Sequence, residues 1–501
     1  MDFRKTIKNK IMKKIYLTLM LLISVASLWG QRFSSSGTNP ILVNTAISLT
    51  GAPECAEEVE NAGVTFLDVD GVSKTKYGMY YVSNTNNAAI VVKPSIDFDF
   101  MPFEVYGAGT FFYPDTSFNL RTYANVTLRK TYYVNGYDSG ANDTNDGLSW
   151  ESALKTLSAA LAKSDVGTIY ATGYFHKNES SLNAPNGDVE IIGVGECFIT
   201  SDHANVVNNG TGWTFSGNTW SKTVTASQFT NNIFDRLRTD KCGYPFKYLS
   251  VANPTEVDAT NGSYYVDWSG TFGPAQTIYI NTIDNREPGL NIALLDNLAF
   301  APTQDNRVYY FKNVTFLGSC RFRNNSTTGG LKVYLENCAL QSLEAPGVNE
   351  VITWKCINSL RITGDVLNYD ERNGIGTKFV EYGNILRGSY SSNTSSQIST
   401  AHGTSTAGVR IWCNYNTTGG QIIADVTGST SWNLGINVYK SNSGVAFYTQ
   451  DNMWLHGCNN QGISTDFDGT AAGVINIKHY SKNGEINGST STLGAVNVST
   501  Y

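Results

Sequence analysis

Polar residues with catalytic potential concentrate in the last third of the chain, at spacings that suggest successive coils of a repeat. The interval from Glu381 to His402 nearly equals that from His402 to Asp425. If one coil takes such an interval, the three side chains form a column whose members lie roughly 5 Å apart, the distance between neighbouring strands. The spacing therefore predicts a catalytic column of Glu381, His402 and Asp425. This prediction depends on the register, because a slip of one residue would turn His402 to the opposite face.

Two reaction types are open to this column. A protonated and an ionised carboxyl group together hydrolyse a glycosidic bond. Alternatively, a base such as His402 removes the proton next to a uronate carboxylate, and Arg372 or Arg410 stabilises the enolate, which gives β-elimination. Asp370 is a further candidate carboxylate. The alternative for Asp370, Glu371 and Arg372 is an ordinary polar turn, and for the column it is a set of solvated or salt-bridged surface groups.

Aromatic residues in the same region point to binding. Exposed Trp and Tyr rings stack on sugar rings, and amide-rich surroundings bond hydroxyl groups. Burial in a core is the alternative for each ring. The candidate substrate-binding residues are Trp412, Trp432, Tyr439 and Trp454.

Composition limits the partners. The 501 residues are 16% charged and 12% aromatic, with 47 glycines and a net charge of −6. Clustered Lys and Arg are what bind nucleic acids, so this balance argues against a nucleic-acid partner. A weakly charged, aromatic and Asn-rich surface suits neutral, hydroxyl-rich partners such as a polysaccharide or surface glycan.

The N-terminus predicts export. Lys13 and Lys14 lead into an apolar stretch from Ile15 to Leu28, followed by small and polar residues. A basic start, a short apolar stretch and a small residue near its end describe a secretory signal peptide over 1–30. No later stretch reaches the roughly 20 residues needed to span a bilayer. We expect a secreted or cell-surface protein without a transmembrane span in its mature form.

The remaining chain predicts two β-rich parts. Residues 31–128 alternate short apolar runs with turns, which is typical of a small all-β, sandwich-like domain. From 129 onward a strand, a polar loop and a short helix follow one another. The helix is indicated by Leu154, Leu157 and Leu161 at helical spacing, with Ser149 or Ser152 as N-cap.

Beyond this helix, short β-runs with Asn/Gly turns recur about every 18–25 residues, which indicates a solenoid with a shared core. Turn Asn tolerates left-handed backbone, and its amides can form ladders. Cys320, Cys338 and Cys356 recur at equal intervals, so we expect equivalent buried thiols rather than disulfides. No cysteine pattern fits structural zinc.

No cofactor is indicated elsewhere. The acidic loop from Asp138 to Gly147 fails the EF-hand pattern, because Gly147 falls where a ligand should be. A loosely bound Ca²⁺ in that loop is the single candidate.

Two motifs resemble a known family. The stretch with Tyr133-Val-Asn, Asn145-Asp-Gly-Leu-Ser-Trp and Ala153-Leu-Lys-Thr-Leu resembles the opening of secreted right-handed parallel β-helix proteins of the pectate-lyase-like superfamily. The stretch from Gly262 to Pro288 is similar to a β insertion near the first coils of carbohydrate-active β-helix proteins. The resemblance implies an all-β, right-handed parallel β-helix over 129–501, with a capping helix and a β insertion at about 205–290.

The resemblance also implies engagement of extracellular polysaccharide. No position matches the calcium-binding Asp set and Arg base of pectate lyases, or the paired Asp motifs of polygalacturonase-type hydrolases, so catalytic residues do not transfer. Whether the polysaccharide is also cleaved stays open, and an enzyme of this kind would be a polysaccharide lyase or a glycoside hydrolase. The alternative is a non-catalytic glycan-binding adhesin, a tailspike-like receptor-binding protein or a structural surface or filament subunit.

Overall fold

The structure is a computed structural model, and it describes most of the chain beyond residue 88. The predicted signal peptide and much of the predicted N-terminal unit lie outside the described residues. The described ranges are 64–67, 73–76, 89–94, 98–108, 111–127, 129–176, 187–201, 212–224, 232–239, 245–267, 276–288, 292–295, 298–302, 305–325, 327–357, 365–387, 397–416, 421–439, 444–461, 465–482 and 495–498.

Two parallel sheets form a solenoid, the first from Lys130 onward and the other from Leu298 onward. We call the sixteen-stranded one the long sheet and the eight-stranded one the second sheet. The long sheet consists of Lys130–Asn135, Val166–Phe175, Val189–Thr200, Val308–Lys312, Thr315–Leu317, Lys332–Glu336, Glu350–Trp354, Lys378–Tyr382, Ile385–Arg387, Ala407–Ile411, Asn414–Asn416, Thr430–Leu434, Asn437–Tyr439, Asn452–Gln461, Val474–Lys482 and Ala495–Val498. The second sheet consists of Leu298–Phe300, Ser319–Arg321, Ser342–Pro346, Leu367–Asp370, Ser399–His402, Gln421–Val426, Val445–Thr449 and Thr465–Gly469.

From Val308 to Gly469, each coil supplies strands to both sheets and pairs with the coils before and after it. Lys332–Glu336, for example, pairs in parallel with Val308–Lys312 on one side and with Glu350–Trp354 on the other. The chain therefore winds as a parallel β-helix. The fold class predicted from the sequence, an all-β right-handed parallel β-helix, is confirmed.

Alternate residues of each strand face the interior. Val333 and Leu335 belong to the apolar core inside the solenoid, whereas Tyr334 between them packs on its outer side. Because side chains alternate with a period of two, this pattern assigns every strand residue to one face. The face of each candidate site residue follows from it.

Coils differ in length. The coil from Lys332 to Glu350 is short, and the coil from Lys378 to Ala407 is more than half as long again. A constant coil period therefore does not describe this solenoid.

Asparagine shapes the corners, as predicted. Asn313 and Asn337 adopt left-handed backbone at equivalent corners of successive coils, with φ of 56° and 53°. The Asn337 side chain donates a 2.7 Å hydrogen bond to Oδ1 of Asn313. A second step of this kind joins Asn437 to Asn414. The amide ladders are thus confirmed.

The cysteines that the structure describes are buried and free, as expected. Cys338 and Cys356 precede the bridged residues Ala339 and Ile357, and so they occupy equivalent places in successive coils. Cys320 instead lies in the second sheet, where it pairs with Leu343. The predicted three-membered cysteine column is wrong for Cys320, because the equal spacing there joins two different sides of the solenoid.

The predicted helix spans Leu157–Leu161 and packs on the first strands of the long sheet. Leu154, Leu157 and Leu161 are all buried. The N-cap is Thr156, whose side chain accepts from the Ala159 amide, so the predicted caps Ser149 and Ser152 are wrong.

The described residues before 129 contain two small antiparallel sheets and a helix, and the sandwich-like domain over 31–128 stays a prediction. Antiparallel strands Val64–Leu67 and Ser73–Lys76 precede a three-stranded sheet and a helix, and residues 98–126 share a core with the outer face of the long sheet. The later elements are Ala89–Ile90, Val105–Ala108, Phe111–Pro114 and the helix Leu120–Ala124.

One ion pair joins this segment to the solenoid. Arg121 bonds both carboxylate oxygens of Glu190, at 2.5 and 2.8 Å, while Thr168 donates to the same carboxylate. Because a bidentate pair fixes both position and orientation, it anchors the helix on the long sheet.

Residues 214–295 contain two sheets that interrupt the first coils, and their strand pairs are antiparallel except for the parallel pair of Leu249–Ser250 with Ser263–Asp267. The five-stranded sheet has the order Leu249–Ser250, Ser263–Asp267, Gln276–Asn281, Thr219–Val224, Thr214–Ser216, and the three-stranded sheet has the order Pro245–Lys247, Asn232–Thr239, Ile292–Leu295. The helix Pro254–Ala259 packs on the larger sheet. No helix in the described ranges is long and apolar enough to cross a membrane.

Candidate functional site

The predicted column of Glu381, His402 and Asp425 does not exist as a column. Glu381 lies in the long sheet, whereas His402 and Asp425 lie in the second sheet. Asp425 pairs with Ala401 rather than with His402. That one-residue offset turns Asp425 inward and leaves His402 outside, because adjacent strand residues face opposite sides. The prediction failed because the coils differ in length.

The structure instead brings Glu381, Asp425 and Arg410 together inside the solenoid. All three side chains are fully buried, with Arg410 Nε 3.4 Å from Glu381 Oε1 and Nη1 3.6 Å from Asp425 Oδ1. Glu381 also accepts hydrogen bonds from the hydroxyls of Ser399 and Tyr415. We call Glu381, Arg410 and Asp425 the interior triad.

In the interior triad, burial and neighbouring charges shift the pKa values in opposite directions. Burial raises the pKa of Asp425 to about 6, although Arg410 and the Ser431 hydroxyl act to lower it. Burial lowers the pKa of Arg410, but the carboxylates of Asp425 and Glu381 outweigh it, and the net shift is upward. The guanidinium therefore stays charged. No residue of the interior triad is open to a polymer outside, so the predicted catalytic roles of Glu381, Asp425 and Arg410 have no geometric basis.

The outer face of the second sheet does carry a row of mostly polar residues, although Thr400 and Ala424 within it are fully buried. Parallel registers place Arg321, Glu344, Asn368, Thr400, Ala424, Tyr448 and Asp468 side by side across seven coils. Arg321 holds Glu344 with two hydrogen bonds of 2.5 and 2.9 Å. We call this row the outer column.

Asp370 and His402 are neighbours in a second outward row. They are register partners in adjacent coils, and both are partly buried. Of the predicted catalytic residues, these two lie on the face that a ligand can approach. The row runs two residues along the strands from the outer column, so Thr400 and His402 face the same side.

Asp365 lies two residues before the second-sheet strand Leu367–Asp370. Charged residues of both outward rows shift its pKa. Its Oδ1 accepts a 3.2 Å hydrogen bond from the Gln397 amide. Burial raises its pKa, which the Gln397 amide and the charge of His402 act to lower and the charge of Glu344 to raise. Asp365 thus keeps its proton to a higher pH than usual, and the charge of the ion-paired Glu344 contributes to this.

Amides and hydroxyls continue from Asp365 along the strand starts. Gln397 bonds Gln421 at 2.6 Å and accepts from the Thr400 hydroxyl at 2.7 Å. The Gln450 amide donates to the Tyr448 hydroxyl. Thr400 is fully buried, whereas Gln397, Gln421, Tyr448 and Gln450 are partly exposed and can offer hydrogen-bonding groups to a ligand.

Arg372 belongs to a structural turn. Its Nε donates to the Asn324 carbonyl at 3.1 Å, and its backbone forms a tight antiparallel bridge with Ile375. Glu371 accepts from the Ser405 hydroxyl and amide, which contributes to lowering its pKa. For Glu371 and Arg372, the alternative of an ordinary polar turn therefore describes the structure.

The three predicted sugar-binding tryptophans belong to an apolar cluster that they share with the N-terminal segment. Trp432 is 3% exposed, and Trp454 meets the ring of Phe98 edge-on at 5.7 Å. Trp412 packs against the same cluster from a corner with φ of 51°. A sugar-facing role is therefore wrong for Trp432, whose ring is enclosed. Of Tyr439 the structure describes the backbone, at the end of Asn437–Tyr439.

The carboxylates of the acidic loop at 138–147 support its own backbone. Asp143 accepts from the amides of Lys155 and Thr156, and Asp146 accepts from the Leu148 amide and the Ser152 hydroxyl. Among the described residues, no group of three or more His, Cys, Asp or Glu could hold a metal ion. Calcium binding in this loop stays a prediction.

Sequence reasoning missed Arg321, Glu344 and Asp365 as site residues. Arg321 and Glu344 are separated by an interval within the period already noticed, and opposite charges one coil apart were the available signal. Asp365 had no such signal, since its surroundings come from Gln397 in the next coil.

No protein-family model matches the chain, and no curated protein matches its sequence. Solved structures give weak likeness. XylC in complex with xylose has a TM-score of 0.38 and 9% identity over 69% of this chain and 65% of its own. A structure described as a glycoside hydrolase has a TM-score of 0.32 and 10% identity, over 74% and 96%.

The lacto-N-biosidase of family GH136 from Eubacterium ramulus has a TM-score of 0.24 and 10% identity, over 71% and 68%. This chain thus spans about 65% of the length of XylC. Likeness at this level says nothing about a reaction or a substrate. Membership of the pectate-lyase-like superfamily stays a prediction.

Proposed function

We propose that this protein hydrolyses glycosidic bonds of a polysaccharide on the outer face of the second sheet. The observation that carries the proposal is the pair of unlike carboxyl groups there. Asp365 has a raised pKa, and Glu344 is held by Arg321. Glycoside hydrolysis needs one protonated and one ionised carboxyl group, and their environments distinguish the two roles. Asp365 is the proposed general acid and Glu344 the proposed base or nucleophile.

The neighbouring groups suit a sugar chain. Asn368 follows Glu344 in the outer column, and the partly exposed Tyr448 lies three coils beyond Asn368. Amides and hydroxyls exchange hydrogen bonds with sugar hydroxyls, and a tyrosine ring packs on a sugar face. His402 is proposed to position Asp365 through its charge.

Hydrolysis is favoured over β-elimination by the positions of the arginines. A lyase needs a base and a cation at the uronate carboxylate. Arg410 is enclosed in the interior triad, and Arg372 bonds a carbonyl within its turn. Arg321 is already paired with Glu344. None of these three described arginines faces a substrate unpaired.

The predicted signal peptide supports an extracellular partner for the proposed activity. We therefore propose polysaccharides outside the cell as substrates. The non-catalytic adhesin remains the competing function, and it requires the same outer face to bind without cleavage.

To test the proposal, the protein is incubated with neutral and acidic polysaccharides. Three quantities are measured: released reducing ends, the absorbance of unsaturated uronates, and the fraction of protein retained on the polysaccharide. We expect reducing ends without unsaturated product. Asp365→Asn should lower the rate about 10²-fold or more, since general acid catalysis contributes about that much. Glu344→Gln should have a similar effect.

Asp468→Asn is the matched control, because it removes a carboxylate from the far end of the outer column. It should retain activity, and thermal unfolding should show that all three variants fold. Unsaturated product would contradict hydrolysis, and retention without product would favour the adhesin. Full activity in Asp365→Asn would refute the assigned acid.

A further inference from the structure

We propose a second glycan-binding surface, on the five-stranded sheet of the insertion and centred on Tyr265 and Tyr279. It extends the proposed function but does not depend on cleavage, because it uses none of the residues on the second sheet. We call the surface formed by Ser221, Thr223, Tyr265, Asp267, Thr277 and Tyr279 the tyrosine platform.

Strand register places the two tyrosines side by side. Ser221 pairs with Tyr279, and Tyr279 pairs with Tyr265 on the next strand. The ring centroids are 6.2 Å apart and the ring planes are inclined by 30°. Both tyrosines are partly exposed. Together they form an apolar strip across two strands.

Hydroxyl groups flank the strip on the same face. Thr223, Thr277 and Asp267 form the next row, two residues along each strand. Because strand side chains alternate, residues two apart share a face. The Thr223 and Thr277 hydroxyls lie 3.2 Å apart, where either can donate to the other. Such a pair accepts and donates further hydrogen bonds.

The opposite face of this sheet is a closed core. Tyr264, Ile278 and Ile280 lie there and are at most 3% exposed. The platform is therefore on the face that does not form this core. This separation matters for mutagenesis, because platform side chains can be changed without opening the core.

A short helix lies at one end of the tyrosine platform. Beyond the tyrosines, the Asn281 amide donates to the Val257 carbonyl, and the Ser263 hydroxyl donates to the Thr260 carbonyl. Pro254–Ala259 thus covers that end of the face. The rest of this face carries the two tyrosines and the row of Thr223, Thr277 and Asp267.

This chemistry fits a neutral sugar chain. Aromatic faces pack against the apolar faces of sugar rings, and hydroxyl groups exchange hydrogen bonds with sugar hydroxyls. Asp267 is the one charged member of the platform as defined, and its carboxylate repels uronates. A stacked pair elsewhere, Tyr106 and Tyr113, lacks this accessibility, since Tyr113 is 8% exposed.

The test uses the full chain carrying Asp365→Asn, which removes the proposed cleavage. Retention is measured on insoluble xylan, glucan and galactan and on polygalacturonate. We expect retention on at least one neutral polymer, weakened about tenfold or more in Tyr265→Ala/Tyr279→Ala, since each lost aromatic contact weakens binding severalfold. Tyr265→Phe/Tyr279→Phe should bind almost as well as the parent.

Phe215→Ala is the matched control. Phe215 is 48% exposed on the core-facing side of the same sheet, where it pairs with Trp220. It should retain binding. Equal loss in Phe215→Ala, undiminished binding in the double alanine variant, or no retention of the parent on any neutral polymer would overturn the proposal. Retention in wild type that Asp365→Asn abolishes would place binding on the second sheet and overturn it too. Thermal unfolding of each variant separates lost binding from lost folding.

Discussion

Glu381 and Arg410 are register partners in adjacent coils of the long sheet, and their side chains meet inside the solenoid with Arg410 Nε 3.4 Å from Glu381 Oε1. Asp425 reaches the same guanidinium from the second sheet at 3.6 Å. The interior triad thus joins the two sheets by charge across a core that is otherwise largely apolar. The guanidinium also lies 4.8 Å from the centre of the Phe379 ring.

Replacing Arg410 should therefore destabilise the fold strongly. We expect Arg410→Met to lower the free energy of unfolding by about 3–5 kcal/mol, because it leaves buried carboxylates without their partner. Chemical denaturation measures this loss. Adding Glu381→Gln and Asp425→Asn to Arg410→Met should recover part of it. An unchanged midpoint in Arg410→Met would contradict the charge argument.

Stability should fall as the pH rises from 4 to 7 because of Asp425. Its pKa is about 6 in the fold against a usual 3.8, so the folded state favours the protonated form. This contribution is complete below pH 3.8 and is lost as the pH rises through about 6, amounting to about 3 kcal/mol. Denaturation of wild type and Asp425→Asn across this range isolates the effect. Parallel curves for the two proteins would exclude it.

Gly408 should not tolerate alanine. A Cβ there would lie 1.8 Å from Cζ of Phe379, whose ring stacks on Tyr369 with centroids 3.9 Å apart. Overpacking of this kind costs about 1–3 kcal/mol or more, since the ring has no room to move. Thermal unfolding of Gly408→Ala tests this. Gly140→Ala, where the nearest atom would be at 3.4 Å, should unfold like wild type.

Trp432 should matter for stability and not for glycan binding. Its ring is enclosed beneath Phe98, with centroids 6.1 Å apart. Trp432→Ala should cost about 3–5 kcal/mol, which is typical of a buried Trp truncation. It should loosen residues 98–126, detectable as faster proteolysis there. Polysaccharide retention by the folded variant should be unchanged, and a selective loss of retention would restore the binding role.

The pH profile of the proposed hydrolysis should report Asp365. An acid must be protonated, so kcat/KM should decline as the pH rises through the raised pKa of Asp365. The charge of His402 lowers that pKa, so His402→Gln should move the alkaline limb to higher pH. Asp468→Asn serves as the control and should leave the limb in place. An alkaline limb at the same pH in His402→Gln as in wild type would contradict the positioning role of His402.

The repeat could be predicted from the sequence, and the site largely could not. Short β-runs and Asn turns are local signals, and they were sufficient for the coils, the amide ladders and the helix Leu157–Leu161. The face of a strand residue depends on register with the next coil. Register in turn depends on coil length, which differs by more than half between the coils that begin at Lys332 and Lys378. A one-residue error was enough to misplace Asp425.

The sequence by itself thus determined an all-β solenoid of low charge, because apolar periodicity and turn chemistry act within a few residues. Only the tertiary structure decided that Arg410 is enclosed, that Trp432 is covered by residues 98–126 and that the pKa of Asp365 is raised. These three facts depend on contacts between segments far apart in the chain. Burial and pKa arise from such contacts, so no local pattern could have revealed them.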